Sequence, residues 1–247
     1  MENYKQNFIQ MSIQIGALKF GEFELKSGRI SPYFFNMGLF STGKALKNIG
    51  DFYAAALEES NINYDMLFGP AYKGIPLVSV LGSSLFVNHE KNVPFVYNRK
   101  EKKDHGEGGQ IVGPSLSGKV VIVDDVITAG TAIKEASEMI IDAGAEISGI
   151  LIALDRQEKG AGDLSAVQEV SLELGVPVVS IVNLDQILTF VKNSPSELEA
   201  YVEKIENYRE KYGAWFLLVF ASVAKSAFST VWFFKRIHQI KVDLFDW

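Results

Sequence analysis

Two hydrophobic patterns alternate along residues 1–214. Apolar side chains at Phe8, Met11 and Ile15 recur with helical spacing, and the segment 42–60 repeats that pattern. Short apolar runs rich in β-branched residues follow, and they predict strands at 66–68, 94–97, 120–123, 147–154 and 176–182. Because helical patterns separate most of these runs, the sequence predicts an α/β fold with a largely parallel sheet flanked by helices.

Two acids and a glycine loop follow one of these strands, and in such sheets ligands bind at the carboxyl ends of strands. Asp124 and Asp125 come first, and Thr128, Gly130 and Thr131 then lead into a predicted helix. A helix N-terminus approached through glycine offers free backbone N–H groups to a phosphate. Carboxylates instead suit sugar hydroxyls or a hard cation such as Mg²⁺. The segment therefore predicts a site for a ribose 5-phosphate.

Two other interpretations compete for this part of the chain. One is a buried strand followed by solvated acids and an ordinary turn, but the order of acids, hydroxyls and glycine favours the phosphate site. The other is a nucleotide triphosphatase, because 113–119 (GPSLSGK) nearly fits the phosphate-loop motif. That motif fails, since Val120 replaces the required Ser or Thr and Lys119 precedes a predicted strand rather than a helix.

Two more segments combine glycine with cations. The segment 69–76 (GPAYKGIP) presents Tyr72 and Lys73 after the strand at 66–68, and a tight connection with an exposed lysine is the alternative. The segment 98–109 (NRKEKKDHGEGG) is predicted to be a mobile loop because of its glycines, and its cations suit a pyrophosphate clamp. A solvated charged loop is the alternative there.

Three further positions carry a default structural interpretation beside a functional one. Arg156 follows the predicted strand 147–154, where a guanidinium can bind a planar carboxylate in a bidentate manner. A salt-bridged surface arginine is the alternative. By default Phe34 and Phe35 are core aromatics and Lys26 is a surface lysine.

At 119–132 the sequence resembles the type I phosphoribosyltransferases. Four more blocks look like orotate phosphoribosyltransferase: FGEFELKSGRISPYFFN (20–36), LFGPAYKGIP (67–76), NRKEKKDHGEGG (98–109) and LDRQEKG (154–160). The resemblance runs from about residue 1 to about residue 213. It implies the type I phosphoribosyltransferase fold with a small N-terminal hood. The implied enzyme is a pentosyltransferase that makes orotidine 5′-monophosphate and pyrophosphate from orotate and phosphoribosyl pyrophosphate in pyrimidine biosynthesis.

The resemblance also implies a role for individual residues. Phosphoribosyl pyrophosphate would contact Lys26, Tyr72, Lys73, Arg99, Lys100, Lys103, His105, Asp124, Asp125, Val126, Ile127, Thr128, Ala129, Gly130, Thr131 and Ala132. Orotate would contact Lys26, Phe34, Phe35, Thr128 and Arg156. The catalytic set would be Lys26, Lys73, Lys103, Asp124 and Asp125. Mg²⁺ would be held mainly through the substrate pyrophosphate without dedicated protein ligands, and the enzyme would be a homodimer whose loop 99–109 enters the neighbouring subunit's site.

Two other functions stay open at this point. A phosphoribosyltransferase for another base is disfavoured by Lys26, Phe34, Phe35 and Arg156. A non-catalytic regulator that senses phosphoribosyl pyrophosphate would usually carry a DNA-binding domain or a basic RNA-binding face, and the sequence indicates neither.

The amino-acid composition argues against nucleic acid as a binding partner and favours a reducing compartment. The formal net charge is −6, so the chain lacks a basic footprint for nucleic acid. There is no cysteine, which excludes disulfides, thiolate zinc sites and a cysteine nucleophile and suits a reducing compartment. The N-terminus MENYKQNFIQ does not resemble a signal peptide, and a cytoplasmic location is expected.

The composition changes sharply near residue 214. All three tryptophans fall in 215–247, and that segment is net positive whereas the rest of the chain is acidic. We therefore divide the chain into a phosphoribosyltransferase domain at 1–213 and a hydrophobic extension at 214–247. The apolar stretch 215–234 is long enough to span a bilayer as a helix, although Lys225 lies at its middle. A membrane anchor, a helix packed on the enzyme or its dimer partner, and a non-native extension are the interpretations left open.

Overall fold

The computed structural model describes residues 3–25, 27–103, 109–128, 130–160, 162–194 and 198–214, and it leaves the side chains of 102, 103 and 109 undescribed. Several residues expected at the site therefore lie outside the described residues, namely Lys26, His105, Ala129 and the side chain of Lys103. The hydrophobic extension from 215 onward also lies outside them. The described elements belong to one compact unit, Met1–Ala214.

The N-terminal part forms the small hood that the resemblance implied. Helix α1 (Asn3–Gln14) precedes an antiparallel pair of strands, β1 (Leu18–Glu24) and β2 (Ile30–Phe35). Phe8 of α1 is buried and its ring packs edge-on against the ring of Phe52 at 5.7 Å between centroids. This contact joins the hood to the helix that follows it.

The centre of the unit is a sheet of six strands in the order β5-β4-β3-β6-β7-β8. The strands are β3 (Met66–Gly69), β4 (Phe95–Lys103), β5 (Gly109–Val112), β6 (Lys119–Val123), β7 (Glu146–Asp155) and β8 (Val178–Asn183). All neighbouring pairs are parallel except β4 and β5. The prediction of a largely parallel α/β fold is confirmed.

Helices cover both faces of this sheet. They are α2 (Gly43–Ser60), α3 (Gly74–His89), α4 (Thr131–Asp142), α5 (Ala166–Leu174), α6 (Leu184–Lys192) and α7 (Val202–Tyr212). Alternate residues of β6 enter different cores: Val121 and Val123 pack on one side, Val120 and Ile122 on the other. A strand buried on both faces reads as a continuous apolar run, which explains why the sequence revealed it.

The interpretation of 98–109 as a loop is wrong for its first part. Residues 98–103 continue β4, which pairs antiparallel with β5 through Asn98 and Ile111 and again through Lys103 and Gly109. The pairing of β4 with β3 ends at Tyr97, so residues 98–103 are paired with β5 alone and project beyond the rest of the sheet, where charged side chains are tolerated. Residues 104–108 lie outside the described residues.

Two further findings bear on the alternatives raised by the sequence. Lys119 begins strand β6, so the segment GPSLSGK does not open a helix and is not a phosphate loop. Among the residues that the structure describes, no helix is long and apolar enough to cross a membrane.

Candidate active site

The carboxyl ends of β3, β4, β6 and β7 lie along one edge of the sheet, because these strands are parallel neighbours. The segments that follow them are 70–73, 124–131 and 156–158, and β4 carries its own charged residues past the same edge. This is the edge at which open α/β sheets bind ligands.

The two acids after β6 are both buried. The backbone N–H of Asp125 donates to Oδ1 of Asp124 at 2.8 Å, and that of Val126 donates to Oδ1 of Asp125 at 2.9 Å. The hydroxyl of Tyr53, on helix α2, donates to the carbonyl oxygen of Asp124 at 2.8 Å and holds the backbone at this position. Burial, together with the neighbouring Asp125 carboxylate, raises the pKa of Asp124 to about 6.

Lys73 reaches this acid pair from the neighbouring strand. Its Nζ lies 2.5 Å from Oδ2 of Asp125, so the segment after β3 and the segment after β6 are joined by an ion pair. The lysine side chain stays largely exposed, whereas the aspartate is buried. The cation therefore lies at the mouth of the site with the carboxylate beneath it.

The segment that carries Tyr72 and Lys73 is held against β4. The backbone N–H of Ala71 donates to Oδ1 of the buried Asn98 at 2.8 Å. Nζ of Lys100 lies 6.0 Å from the ring centroid of the exposed Tyr72. Two of the expected pyrophosphate-binding segments, 70–73 and the charged part of β4, are thereby brought together.

This segment turns sharply between β3 and α3, and glycine makes the turn possible. A Cβ on Gly69 would lie 2.4 Å from the carbonyl oxygen of Gly74, and a Cβ on Gly74 would lie 2.8 Å from the carbonyl oxygen of Val123. Both neighbours are backbone atoms that have no room to move away. The glycines in GPAYKGIP are thus required by the close approach of β3, α3 and β6.

The start of α4 is available to an anion. Gly130 precedes the helix with φ +72°, and no side chain that the structure describes caps the first turn. The hydroxyl-bearing side chains of Thr128 and Thr131 are exposed, whereas Val126 and Ile127 are turned toward the protein. Backbone N–H groups and hydroxyl groups therefore face the same opening.

Arg156 is largely covered by the protein, with its side chain 15% exposed, and is not the surface arginine of the alternative interpretation. Its Nη2 lies 2.6 Å from Oε1 of Glu158 and 3.3 Å from Oγ of Ser31. Its Cζ lies 4.4 Å above the ring centroid of Tyr33, whose hydroxyl donates to the same Glu158 oxygen at 3.2 Å. The guanidinium is thus fixed between the end of β7 and strand β2 of the hood.

Phe34 and Phe35 lie next to each other on β2, so their side chains point to opposite faces of the strand. The ring of Phe35 packs against that of Phe8 at 6.1 Å, inside the core of the hood. The ring of Phe34 packs against that of Phe23 at 5.6 Å and remains 39% exposed. The Phe34 ring is therefore more open to solvent than the ring of Phe35, which is partly buried.

Two more of the expected residues lie on the described elements. Arg99 is half-buried on β4, and Ala132 is half-buried in the first turn of α4. A link between the acid pair and β7 comes from the backbone N–H of Ala153, which donates to the carbonyl oxygen of Asp125 at 2.9 Å.

Sequence reasoning missed four residues that hold the site together: Tyr33, Tyr53, Asn98 and Glu158. Tyr33, Tyr53 and Asn98 each hydrogen-bond to a residue that is distant in sequence, and Glu158 pairs with Arg156 two positions away. Tyr53 occupied an apolar helical position in the pattern, and Glu158 stood in a charged segment beside Arg156. Tyr33, Asn98 and Glu158 lie within the blocks that carry the resemblance, but that signal does not distinguish them from their neighbours, and Tyr53 lies outside those blocks.

Comparisons with known proteins agree with this geometry. Residues 39–179 match the family described as phosphoribosyl transferase domain. Orotate phosphoribosyltransferase of Marinobacter nauticus is 58% identical over 213 residues, which covers 86% of this chain and 100% of that protein. The protein of the same name from Pseudomonas aeruginosa is 54% identical over 213 residues. The crystal structure of orotate phosphoribosyltransferase from Francisella tularensis matches with a TM-score of 0.77 and 42% identity, covering 84% of this chain and 99% of that chain.

Proposed function

The chain belongs to the orotate phosphoribosyltransferases, and we propose that the sheet edge around Asp124, Lys73 and Arg156 binds the two substrates of that reaction. The reaction transfers the ribose 5-phosphate group of phosphoribosyl pyrophosphate to orotate, giving orotidine 5′-monophosphate and pyrophosphate in pyrimidine biosynthesis. The observation that carries the assignment of the site is the contact between Lys73 and Asp125. It sets a cation for the leaving group beside acids for the ribose.

The ribose 5-phosphate part of the substrate binds between β6 and α4. Its phosphate accepts hydrogen bonds from the backbone N–H groups of 128–132 and from the hydroxyls of Thr128 and Thr131. The free first turn of α4 supports this assignment. Asp124 and Asp125 accept hydrogen bonds from the ribose hydroxyls, since a carboxylate beside a phosphate serves the sugar better than the anion.

The pyrophosphate group binds to the cations at the mouth of the site. Tyr72, Lys73, Arg99, Lys100, Lys103 and His105 form this set. The tie between Ala71 and Asn98 supports the arrangement, because it holds the first two members next to β4. The charge of the cations favours the departing pyrophosphate, whose negative charge grows in the transition state.

Phosphoribosyltransferases generally use Mg²⁺ together with phosphoribosyl pyrophosphate. Among the residues described in the structure, no three His, Cys, Asp or Glu side chains are grouped to hold a metal ion. Asp124 and Asp125 still offer hard oxygen donors on one side, which suits an ion that takes most of its ligands from substrate oxygens and water. Mg²⁺ would therefore be held mainly by the pyrophosphate and would add to the neutralisation of its charge.

Orotate binds between the hood and the end of β7. The Arg156 guanidinium takes the orotate carboxylate, and the exposed Phe34 ring contacts the base. Lys26, the backbone of Phe35 and the Thr128 hydroxyl complete the set. The ordered guanidinium beside Tyr33 supports this assignment.

The reaction passes through an oxocarbenium-like ribose as pyrophosphate leaves and the ring nitrogen of orotate attacks with inversion. Asp124 and Asp125 stabilise the positive ring through the hydroxyls that they hold, while Lys73, Lys100 and Lys103 stabilise the leaving group. Orotate loses its ring proton readily, so no strong general base is needed. Closure of the site by the 99–109 segment excludes water and prevents hydrolysis of the ribosyl donor.

The proposed function also includes a homodimeric assembly and a C-terminal extension without a catalytic role. The enzyme works as a homodimer in which the 99–109 segment completes the neighbouring subunit's site, and it acts in the cytoplasm. Residues 1–213 form the enzyme and 214–247 form an appendage that the chemistry does not use. The 213-residue match that covers a whole relative supports this division, as does the compact unit that ends at Ala214.

A base panel tests the proposed site. The wild-type protein and Arg156→Ala are incubated with phosphoribosyl pyrophosphate, Mg²⁺ and one of orotate, uracil, adenine or hypoxanthine, and consumption of each base is followed. We expect the wild type to consume orotate far faster than the other bases, and Arg156→Ala to lose most of its preference for orotate over uracil. Unchanged preference in the variant would remove Arg156 from the orotate site.

A further inference from the structure

Arg156 stacks its guanidinium on the ring of Tyr33 and donates its hydrogen bonds to the protein through one terminal nitrogen, Nη2. Among the described residues, Nη2 of Arg156 donates hydrogen bonds to Glu158 and Ser31, and the Tyr208 hydroxyl also lies close enough to interact with the guanidinium. Nη1 and Nε are the nitrogens that we assign to a ligand. A guanidinium offers parallel N–H groups to a carboxylate only when its plane is held in a fixed orientation.

Glu158 is the group that fixes this orientation. Its Oε1 accepts from Nη2 of Arg156 at 2.6 Å and from the Tyr33 hydroxyl at 3.2 Å. Both members of the ion pair are largely shielded from solvent, with side chains 15% and 13% exposed for Arg156 and Glu158. The carboxylate thus holds the cation and the ring on which the cation stacks.

The backbone that carries Glu158 is itself tied down on both sides. The N–H of Lys159 donates to the carbonyl oxygen of Tyr212 at 2.8 Å, and the N–H of Ala214 donates to that of Gln157 at 2.8 Å. Nη1 of Arg29 donates to the carbonyl oxygen of Lys159 at 3.0 Å. The end of the described chain and the hood therefore keep Glu158 in place.

The Arg156 side chain has several rotatable bonds, and its shortest hydrogen bond, from Nη2 to Oε1 of Glu158, is the contact that fixes the plane of the guanidinium. Loss or displacement of this acceptor oxygen would let Arg156 turn toward solvent or another acceptor. The stacking on Tyr33 and the longer contact with Ser31 would not hold the plane by themselves.

We propose that Glu158 is a positioning residue that aims the free edge of Arg156 at the carboxylate of orotate. The inference rests on the proposed function, in which Arg156 binds that carboxylate. It assigns to Glu158 a specificity role in which the place of its oxygen matters more than its charge. The feature that carries it is the single oxygen shared by Arg156 and Tyr33.

Variants that separate position from charge test this assignment. Glu158→Gln keeps the shared oxygen and removes the charge, whereas Glu158→Asp keeps the charge and withdraws the oxygen by one methylene. We expect Glu158→Asp and Glu158→Ala to raise the KM for orotate about tenfold, with the KM for phosphoribosyl pyrophosphate unchanged within about twofold. Glu158→Gln should stay within about threefold of the wild type in both constants.

Two further variants make the outcomes distinguishable. Arg156→Ala tests the proposed function itself, and Glu206→Ala removes an exposed ion pair with Lys192 at 2.5 Å as the matched control. If Arg156→Ala leaves the KM for orotate unchanged, the orotate site is wrongly assigned. If Arg156→Ala raises it but Glu158→Asp does not, or if Glu158→Gln changes it more than Glu158→Asp, the positioning role is overturned and the proposed function stands.

Discrimination between orotate and uracil gives a readout that a purely structural role would not move. Uracil lacks the carboxylate, so Glu158→Asp should lower the ratio of kcat/KM for orotate to that for uracil by about tenfold. An equal loss on both bases would overturn the proposal. Should Glu158→Ala fail to fold in thermal melts, the comparison of Glu158→Asp with Glu158→Gln still decides.

Discussion

Nζ of Lys73 and Oδ2 of Asp125 lie 2.5 Å apart, which joins the segment after β3 to the segment after β6 across the edge of the sheet. The lysine is mostly exposed and the aspartate is buried. An exposed cation over a buried acid is held ready for an anion that arrives from solvent. In the proposed mechanism that anion is the pyrophosphate, while the acid binds the ribose to which the pyrophosphate is attached.

Replacing Asp125 should damage use of phosphoribosyl pyrophosphate selectively. Asp125→Asn removes the anchor of Lys73 and one acceptor for the ribose hydroxyls, so we expect kcat/KM for phosphoribosyl pyrophosphate to fall about 100-fold. The KM for orotate should change within about twofold. Steady-state kinetics with each substrate varied in turn measures both. Asp142→Asn, at the exposed end of α4, is the control, and a KM for orotate that rises as much as the KM for phosphoribosyl pyrophosphate would contradict the assigned role.

Lys103 is proposed to act in the neighbouring subunit. Lys103→Ala should therefore lower turnover much more than it weakens orotate binding, because its charge is needed when pyrophosphate leaves. Mixing Lys103→Ala with Asp125→Asn after subunit exchange should restore about a quarter of wild-type activity, since one site of each mixed dimer then lacks both defects.

The same mixing experiment would contradict the proposal if each active site were built from a single chain. In that case the mixture would show only the sum of the two residual activities. Lys47→Ala, which removes an exposed cation on α2, serves as the control for loss of a surface charge.

The contribution of Asp124 to the free energy of unfolding should be more favourable at acidic than at neutral pH. Burial and Asp125 raise its pKa from 3.8 to about 6, so the folded state binds the proton more tightly than the unfolded state. The stabilisation is present below about pH 3.8 and is lost as the pH rises through about 6. Asp124→Asn should therefore increase the free energy of unfolding at pH 7.5 by up to about 3 kcal/mol.

Urea unfolding at several pH values measures this effect. The gain from Asp124→Asn should shrink toward zero as the pH approaches about 4. Asp142→Asn, at an exposed position, should show no comparable pH dependence. A gain that is the same at every pH would mean that burial of the ionised Asp124 does not limit stability.

Two tyrosines near Arg156 should respond oppositely to loss of their hydroxyl. The Tyr33 hydroxyl donates to Glu158 at 3.2 Å, whereas the buried Tyr208 hydroxyl has no hydrogen-bond partner in the structure as described. Tyr33→Phe should lower the free energy of unfolding by about 1 kcal/mol, and Tyr208→Phe should leave it unchanged or raise it slightly. Chemical denaturation of both variants gives the comparison, and a larger loss in Tyr208→Phe would contradict it.

The strands and the acid pair could be predicted because their signals are local. The run VVIV is buried on both faces, and its end places Asp124 and Asp125 directly at the edge where ligands bind. The meeting of Lys73 with Asp125 follows from the same rule, since both residues succeed parallel strands that are neighbours in the sheet.

The supports of the site could not be predicted because their partners are far apart in sequence. Tyr33 and Glu158 are separated by 125 positions, and no sequence pattern at either residue predicts a contact with the other. The continuation of β4 through charged residues was missed for a related reason. Its pairing with β5 stabilises the strand, and a hydrophobic pattern does not report backbone pairing between two charged or polar segments.

The most direct test of the account measures products from both substrates. Orotate and phosphoribosyl pyrophosphate are incubated with Mg²⁺ and either the wild-type protein or a variant in which Asp124 and Asp125 are both replaced by Asn. Orotidine 5′-monophosphate and pyrophosphate are then quantified in both reactions. We expect equal amounts of the two products from the wild type and almost none from the variant. Pyrophosphate release without orotidine 5′-monophosphate, or full activity in the variant, would contradict it.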